Sequence, residues 1–303
     1  MYCGRRLRIW RPGFRVPPRP CTQLPEPLDI FHAIPPGDLG VLALGLVIAG
    51  VVGGLVAGVL GIGGGIVMVP VLYHVLATLG LDESIRMHVA VGTSLAAAIP
   101  ASLARLHGRE REIDWLVMRR WFIPLVVGIA IGSTLLALSG GHALALIFAI
   151  IAAPVVLELA LDGRVDRWIA PATQGRSGMF LAAVLGFAAT ITGMGGTTLL
   201  LPALRAQQLS PARASATASL FGLAVGIPAS IGVVLAGWQG RFLPPVSLGY
   251  VNLLAFALTA PILLLMEPAG AMAASVMDLK RLRLVFAALI AIITARMLWD
   301  ALG

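Results

Sequence analysis

The residues of this chain best suited to binding are glycines. Gly61, Gly63, Gly64 and Gly65 fill four of five positions inside a long apolar run, and Pro70 and Leu72 follow. In a helix each glycine costs roughly 1 kcal/mol relative to alanine. What glycine offers is access to positive φ and close approach of another group to the backbone. The pattern recurs in register at Gly193, Gly195 and Gly196, with Pro202 matching Pro70, Leu204 matching Leu72, and Thr197 in place of the fourth glycine. Helices broken at both clusters would restart near Ile66 and Thr198, with first-turn N–H groups that lack an intrahelical partner. Those groups, with the positive ends of the helix dipoles, make an anion site that needs no basic side chain. Thr197 and Thr198 add hydroxyl donors, and Thr93, Ser94, Thr217 and Ser219 lie on the next helix of each half. This set suits a small oxyanion. Small residues also let membrane helices pack closely, so a single cluster reads first as packing. Recurrence in register, completed by the two prolines, favours a site.

The elements that must position these residues are membrane helices. The chain of 303 residues is 58% hydrophobic and only 12% charged, with a mean hydropathy of +0.94, whereas about 25% of an ordinary soluble domain is charged. The composition therefore predicts an all-α, polytopic integral membrane protein rather than two soluble domains. A net charge of +8 is not a nucleic-acid signal here, because the basic residues sit mostly between apolar runs, where the positive-inside bias puts them. Cys3 and Cys21 have no nearby ligand partners, so no metal site is expected. No G-x-x-x-x-G-K-[ST] loop is present, so active pumping by ATP has no support in the sequence. No cofactor and no catalytic residue is expected.

Residues 1–37 hold six Arg and are rich in Pro without an apolar stretch, a composition that cannot bury a core; they read as a disordered arm. Embedded segments are expected at 39–60, 66–80, 88–106, 120–138 and 141–160, and again at 178–191, 197–209, 212–236, 248–266 and 282–302. A membrane repeat at 38–163, a polar connection at 164–177 and a second repeat at 178–303 follow. A full span needs about 20 residues, so 66–80, 178–191 and 197–209 are short. Short, glycine-interrupted segments at matching places in two halves point to a transporter's substrate site. Ile99-Pro100-Ala101-Ser102 recurs as Ile227-Pro228-Ala229-Ser230, Ser94-Leu95 has a counterpart in Ser219-Leu220, and Asp114 and Asn252 each precede a span. Equivalent loops carry opposite charge bias, which predicts inverted repeats of about five segments each. Outside the arm, thirteen basic residues fall on one side and three (Arg86, Arg241 and Arg296) on the other. The thirteen are placed in the cytoplasm.

Embedded ionisable groups are scarce. Glu158, His74, His88 and His142 fall near predicted segment ends and are expected at the interface, so no coupling residue emerges. The motif G-x-G-G-G-x-x-x-V-P-x-L at 61–72, its degenerate copy at 193–204 and Gly92-Thr93-Ser94-Leu95 resemble the TauE/SafE family of sulfite and organosulfur anion exporters. The resemblance spans about residues 40–302. It implies a multi-pass permease of the bacterial inner (cytoplasmic) membrane that exports small sulfur-containing anions by alternating access, driven by a proton or other ion gradient. It carries Gly61, Gly63, Gly64, Gly65 and Pro70 over as the first motif, and Gly193, Gly195, Gly196 and Pro202 as the second, with the prolines as hinges. The readings from other classes are a membrane-embedded accessory or assembly protein and an intramembrane enzyme. The latter would need an embedded nucleophile and base that the sequence does not supply.

Overall fold

Without water in the hydrocarbon core, backbone polar groups must bond within their own segment, and a long apolar run meets that condition as a helix. The computed structural model describes residues 36–61, 63–78, 81–161, 169–238, 243–244 and 246–302. Residues 1–35 with Cys3 and Cys21 lie outside that set, as do Arg164, Arg167 and Arg241. Among the described residues there are ten α-helices: α1 (Pro36–Leu60), α2 (Gly65–Thr78), α3 (Glu83–Leu106), α4 (Trp115–Leu138), α5 (Gly141–Leu161), α6 (Gly175–Thr192), α7 (Gly195–Ala206), α8 (Pro211–Gly237), α9 (Leu253–Val276) and α10 (Leu279–Leu302). Eight are long and apolar enough to cross a membrane. The other two, α2 with 14 residues and α7 with 12, reach only about 21 and 18 Å at 1.5 Å per residue.

Several boundaries differ from expectation, α3 and α4 each beginning five residues earlier, at Glu83 and Trp115. α6 starts at Gly175 rather than 178, which gives it 18 residues and the length of a span. α9 starts at Leu253, because Ser247–Leu248 (β1) and Val251–Asn252 (β2) form a small antiparallel hairpin turned at Gly249, whose φ is +56°. α9 then continues through Pro261 and Pro268 to Val276, well past the expected end at 266.

Short polar side chains fix where spans begin. The Asp82 carboxylate accepts a hydrogen bond from Ser84 N at 2.8 Å and caps α3. Asp114 caps α4 by accepting from Leu116 N and Val117 N, and Asn252 caps α9 by accepting from Ala255 N. Both cap residues also donate their backbone N–H to a threonine on a helix of the other half. Asp114 N donates to Thr217 Oγ1 at 2.9 Å, and Asn252 N to Thr93 Oγ1 at 3.1 Å.

The helices pack across the halves. α1 lies on α9 and α4 on α6, while α3 meets α8 and α5 meets α10. In the absence of a hydrophobic force between helices, small residues allow this approach. Gly50, Gly54 and Gly58 face α9 at Ile262, Leu263 and Glu267 in rising order, so the two helices run parallel. Gly128 and Gly132 meet α6 at Ala183 and Phe187 in the same way. A methyl at Gly58 would run into the carbonyl oxygen of Glu267, whereas one at Gly140 would meet open space. Overpacking of this kind costs typically 1–3 kcal/mol. Gly58→Ala is expected to lower the melting temperature of the detergent-purified protein by several degrees or to abolish its folding, and Gly140→Ala to leave it unchanged.

Candidate functional site

Both glycine clusters break their helices. Gly61 follows α1 with φ +65°, and Gly193 ends α6 with φ +68°. These matching positions of the repeat both take the left-handed conformation that favours glycine. After each break a short helix restarts, α2 at Gly65 and α7 at Gly195.

The two breaks touch. A side chain at Gly65 would meet the carbonyl oxygens of Gly193 and Met194, and one at Gly63 would meet Thr198 Oγ1. Thr198 Oγ1 lies 3.0 Å from Gly63 O and 2.9 Å from Met194 O. Its single O–H is therefore shared between a carbonyl of each break. Ser94 Oγ donates to Gly193 O at 2.8 Å, and Ser102 Oγ lies 3.4 Å from Thr197 Oγ1. All four hydroxyl residues are buried.

Between the breaks is a cavity of about 10 Å³, walled by Gly63, Gly64, Gly65, Ser94, Gly195 and Thr197 together with Arg105. That is space for about one water molecule. Gly61 is outside this wall; Gly193 packs on Val91 and Gly196 on Phe221. Thr198 is not in this wall either; it lines a second cavity of about 50 Å³, which it shares with Glu158, Pro202, Arg205 and Arg283. Pro70 and Pro202 sit inside the two short helices. Each lacks an N–H, so Ile66 O and Thr198 O lose their helical donors a turn beyond the breaks. Thr93 and Thr217 do not line the first cavity; they hold the starts of α9 and α4. Ser219 Oγ donates to Ser215 O within α8. The reciprocal contacts thus pair Thr93 with Thr217, a different match from Ser94 with Ser219.

Sequence reasoning missed Arg105 as a wall residue and did not consider Glu267. Arg105 Nη1 donates to Glu267 Oε1 at 3.2 Å, with 10% and 14% of the two side chains exposed. Arg105 falls next to the end of the expected segment 88–106, where a basic residue reads as interfacial, and the expected segment 248–266 stops one residue short of Glu267. The signal was the helix-compatible run Ala269–Ala274, which carries α9 past Pro268. His88 is buried rather than interfacial, with Nε2 3.0 Å from both Leu136 O and Ser139 O and its ring against Tyr250. His74 and His142 pair with Asp300 and Glu83 at 3.6 and 3.7 Å.

The Thr198 clamp is testable. Thr198→Val keeps the shape but leaves the carbonyls of Gly63 and Met194 without that donor, at a cost of about 1–3 kcal/mol. The melting temperature of the purified protein is expected to fall by several degrees. Thr134→Val, which removes an exposed hydroxyl bonded within its own helix to Ala130 O, is the control and should leave it unchanged.

Comparison with known proteins bears on this geometry. Residues 46–297 match the family described as "Sulfite exporter TauE/SafE". A "probable membrane transporter protein" of Haemophilus influenzae is 26% identical over 208 residues, covering 68% of this chain and 79% of that protein. A protein of Bacillus subtilis with the same description, YunE, is 28% identical over 196 residues, 58% of this chain and 72% of its own. No solved structure matches. With a family match over most of its length, eight helices fit to span a bilayer and two broken ones between them, this multi-pass membrane protein belongs to the TauE/SafE family of membrane transporters.

Proposed function

We propose that the protein is a secondary transporter of small anions, sulfite or an organosulfonate, working by alternating access in the bacterial cytoplasmic membrane. The observation that carries this reading is that both glycine breaks meet around one cavity with Arg105 in its wall. The cargo is held there by the first turns of α2 and α7, whose N–H groups and dipoles favour negative charge, and by the hydroxyls of Ser94 and Thr197. Broken helices at a repeat interface are where secondary transporters bind substrate. The parallel pairs α1/α9 and α4/α6, each joining one half to the other, support an inverted repeat. In that arrangement the first helix of each half runs parallel to the fourth helix of the other.

The cavity volume bears on mechanism. Space for about one water does not admit the four heavy atoms of sulfite. Loading therefore requires α2 and α7 to separate, and Pro70 and Pro202 weaken each short helix close to its break. Rocking of the halves about these points opens the site to one side at a time.

The test is uptake of labelled sulfite, sulfoacetate and ethanesulfonate by proteoliposomes that contain the full chain. Flux of at least one above that of empty vesicles is expected, and none of the three would overturn the reading. Gly63→Leu and Gly195→Leu fill the space at the breaks and favour straight helices. Each should cut that flux at least about tenfold while membrane insertion stays intact. Normal flux in both would remove the glycine breaks from the site.

A further inference from the structure

The transport reading above leaves the Arg105–Glu267 pair without a task. A buried ion pair is weak evidence for stability, because apolar residues of similar volume often serve as well. Ionisable groups inside membrane spans are functional candidates by default. The position of this pair supplies a role. Ser94, Ala98, Ala101 and Arg105 all wall the cavity, and their spacing places them along one face of α3. That face leads from the glycine breaks to the guanidinium. On the facing helix, Leu263 lies in the same wall, and Glu267 follows one turn later on α9.

Resting on the anion-transport reading, we propose that Arg105 receives the transported anion and that Glu267 is its resident counter-ion, displaced by the cargo and protonated while displaced. A guanidinium binds a carboxylate and a sulfur oxyanion through the same planar fork of donors. The Glu267 carboxylate thus occupies on Arg105 the place an oxyanion from the cavity would take.

The charged surroundings of Glu267 decide what happens when it is displaced. On α1 the one ionisable residue is Asp38, in the first turn and about twenty residues before Gly58, which meets Glu267; β1 and β2 carry none. α3 offers Arg105, with Glu83, Arg86 and His88 at its opposite end. α10 carries Lys280, Arg281 and Arg283 near its start, and Arg296 and Asp300 near its end. Among the described residues, Arg105 is the cation that pairs with Glu267. Once Arg105 is taken by cargo, an ionised carboxylate would remain at depth without its partner, which is far costlier than the neutral acid. It takes a proton from the water on the side the anion entered. When the anion leaves, the proton is released on the same side as the anion and the carboxylate returns to Arg105. Each cycle thus moves one proton with one anion, and a monovalent cargo crosses without net charge.

Ethanesulfonate is the diagnostic probe, because it is monovalent and its charge does not change with pH. In wild-type proteoliposomes, an inward gradient of about one pH unit should accumulate it up to about tenfold, and an imposed membrane potential should have little effect. Glu267→Gln keeps a hydrogen-bonding partner for Arg105 but cannot exchange a proton. The variant should still carry the anion, lose the response to the pH gradient and gain one to potential. A merely structural Glu267 would not swap those responses. If ethanesulfonate is not carried, the same comparison is made with sulfoacetate, where the variant moves one more negative charge per cycle than wild type. Arg105→Gln should lose flux, but it also strands Glu267, which by itself strongly destabilises the fold. Arg105→Gln/Glu267→Gln removes both charges, and it should remain monodisperse and carry nothing. Accumulation in Glu267→Gln that still follows the pH gradient, or wild-type flux in the double variant, overturns the exchange. Wild-type flux that ignores the pH gradient also overturns it while leaving the transport reading intact. Absence of wild-type flux for every anion tested instead overturns the transport reading on which the exchange rests.

Discussion

Backbone that leaves a helix inside a membrane needs partners from the protein, because the lipid offers none. In this molecule the two breaks are each other's partners. Thr198 spans them with one hydroxyl placed between Gly63 O and Met194 O, and Ser94 adds a bond to Gly193 O from α3. Either break alone would leave carbonyls exposed to an apolar core at a cost of several kcal/mol. Brought together they form a polar centre. The requirement explains why the glycines come as two clusters in register: the break is a stable element only as a pair.

Bringing the breaks together constrains every surrounding helix. α2 and α7 meet only if the long helices leading into them, α1 and α6, approach from opposite halves, and each is held by the fourth helix of the other half. Those contacts are backbone-close, made through Gly50, Gly54 and Gly58 on α1 and through Gly128 and Gly132 on α4. The threonine ties reinforce them. Thr93 and Thr217, each buried on the third helix of its half, bind the first N–H of the helix that the other half contributes. Glycine therefore does two separate jobs here, as a close-packing surface along spans and as a left-handed terminator at the breaks.

Which glycine does which was partly legible in the sequence. The clusters at 61–65 and 193–196 announce themselves because a packing surface needs one glycine per turn, whereas a break needs several in succession. Asp114 and Asn252 were legible as span starts, since a short polar side chain before an apolar run is what a cap requires. Thr93 and Thr217 were not legible as ties rather than ligands. Their hydroxyl partners lie far away in sequence, and only the folded chain brings them within reach. Glu267 was hidden for another reason. The expected span stopped at 266, just before Glu267 and Pro268, but in a packed membrane helix neighbouring segments satisfy the groups a proline frees, so α9 runs on and carries the carboxylate into the packed interior.

The two breaks are matched in backbone but not in chemistry, and this asymmetry follows from what each faces. Gly65 presses on the carbonyls of Gly193 and Met194, where any side chain would collide. Its counterpart Thr197 points instead toward Ser102, with the hydroxyls 3.4 Å apart, and there a side chain fits. One half therefore supplies close approach and the other supplies a hydroxyl in the same wall. The charged pair is asymmetric too. Arg105 ends the third helix of the first half, and the matching stretch of α8 ends at Gly237 without a basic residue. A symmetric scaffold thus encloses a one-sided site. In the alternating-access reading proposed above, the two halves would move relative to each other while the groups lining the cavity stay fixed in identity, so that one unequal set of donors would face each side in turn.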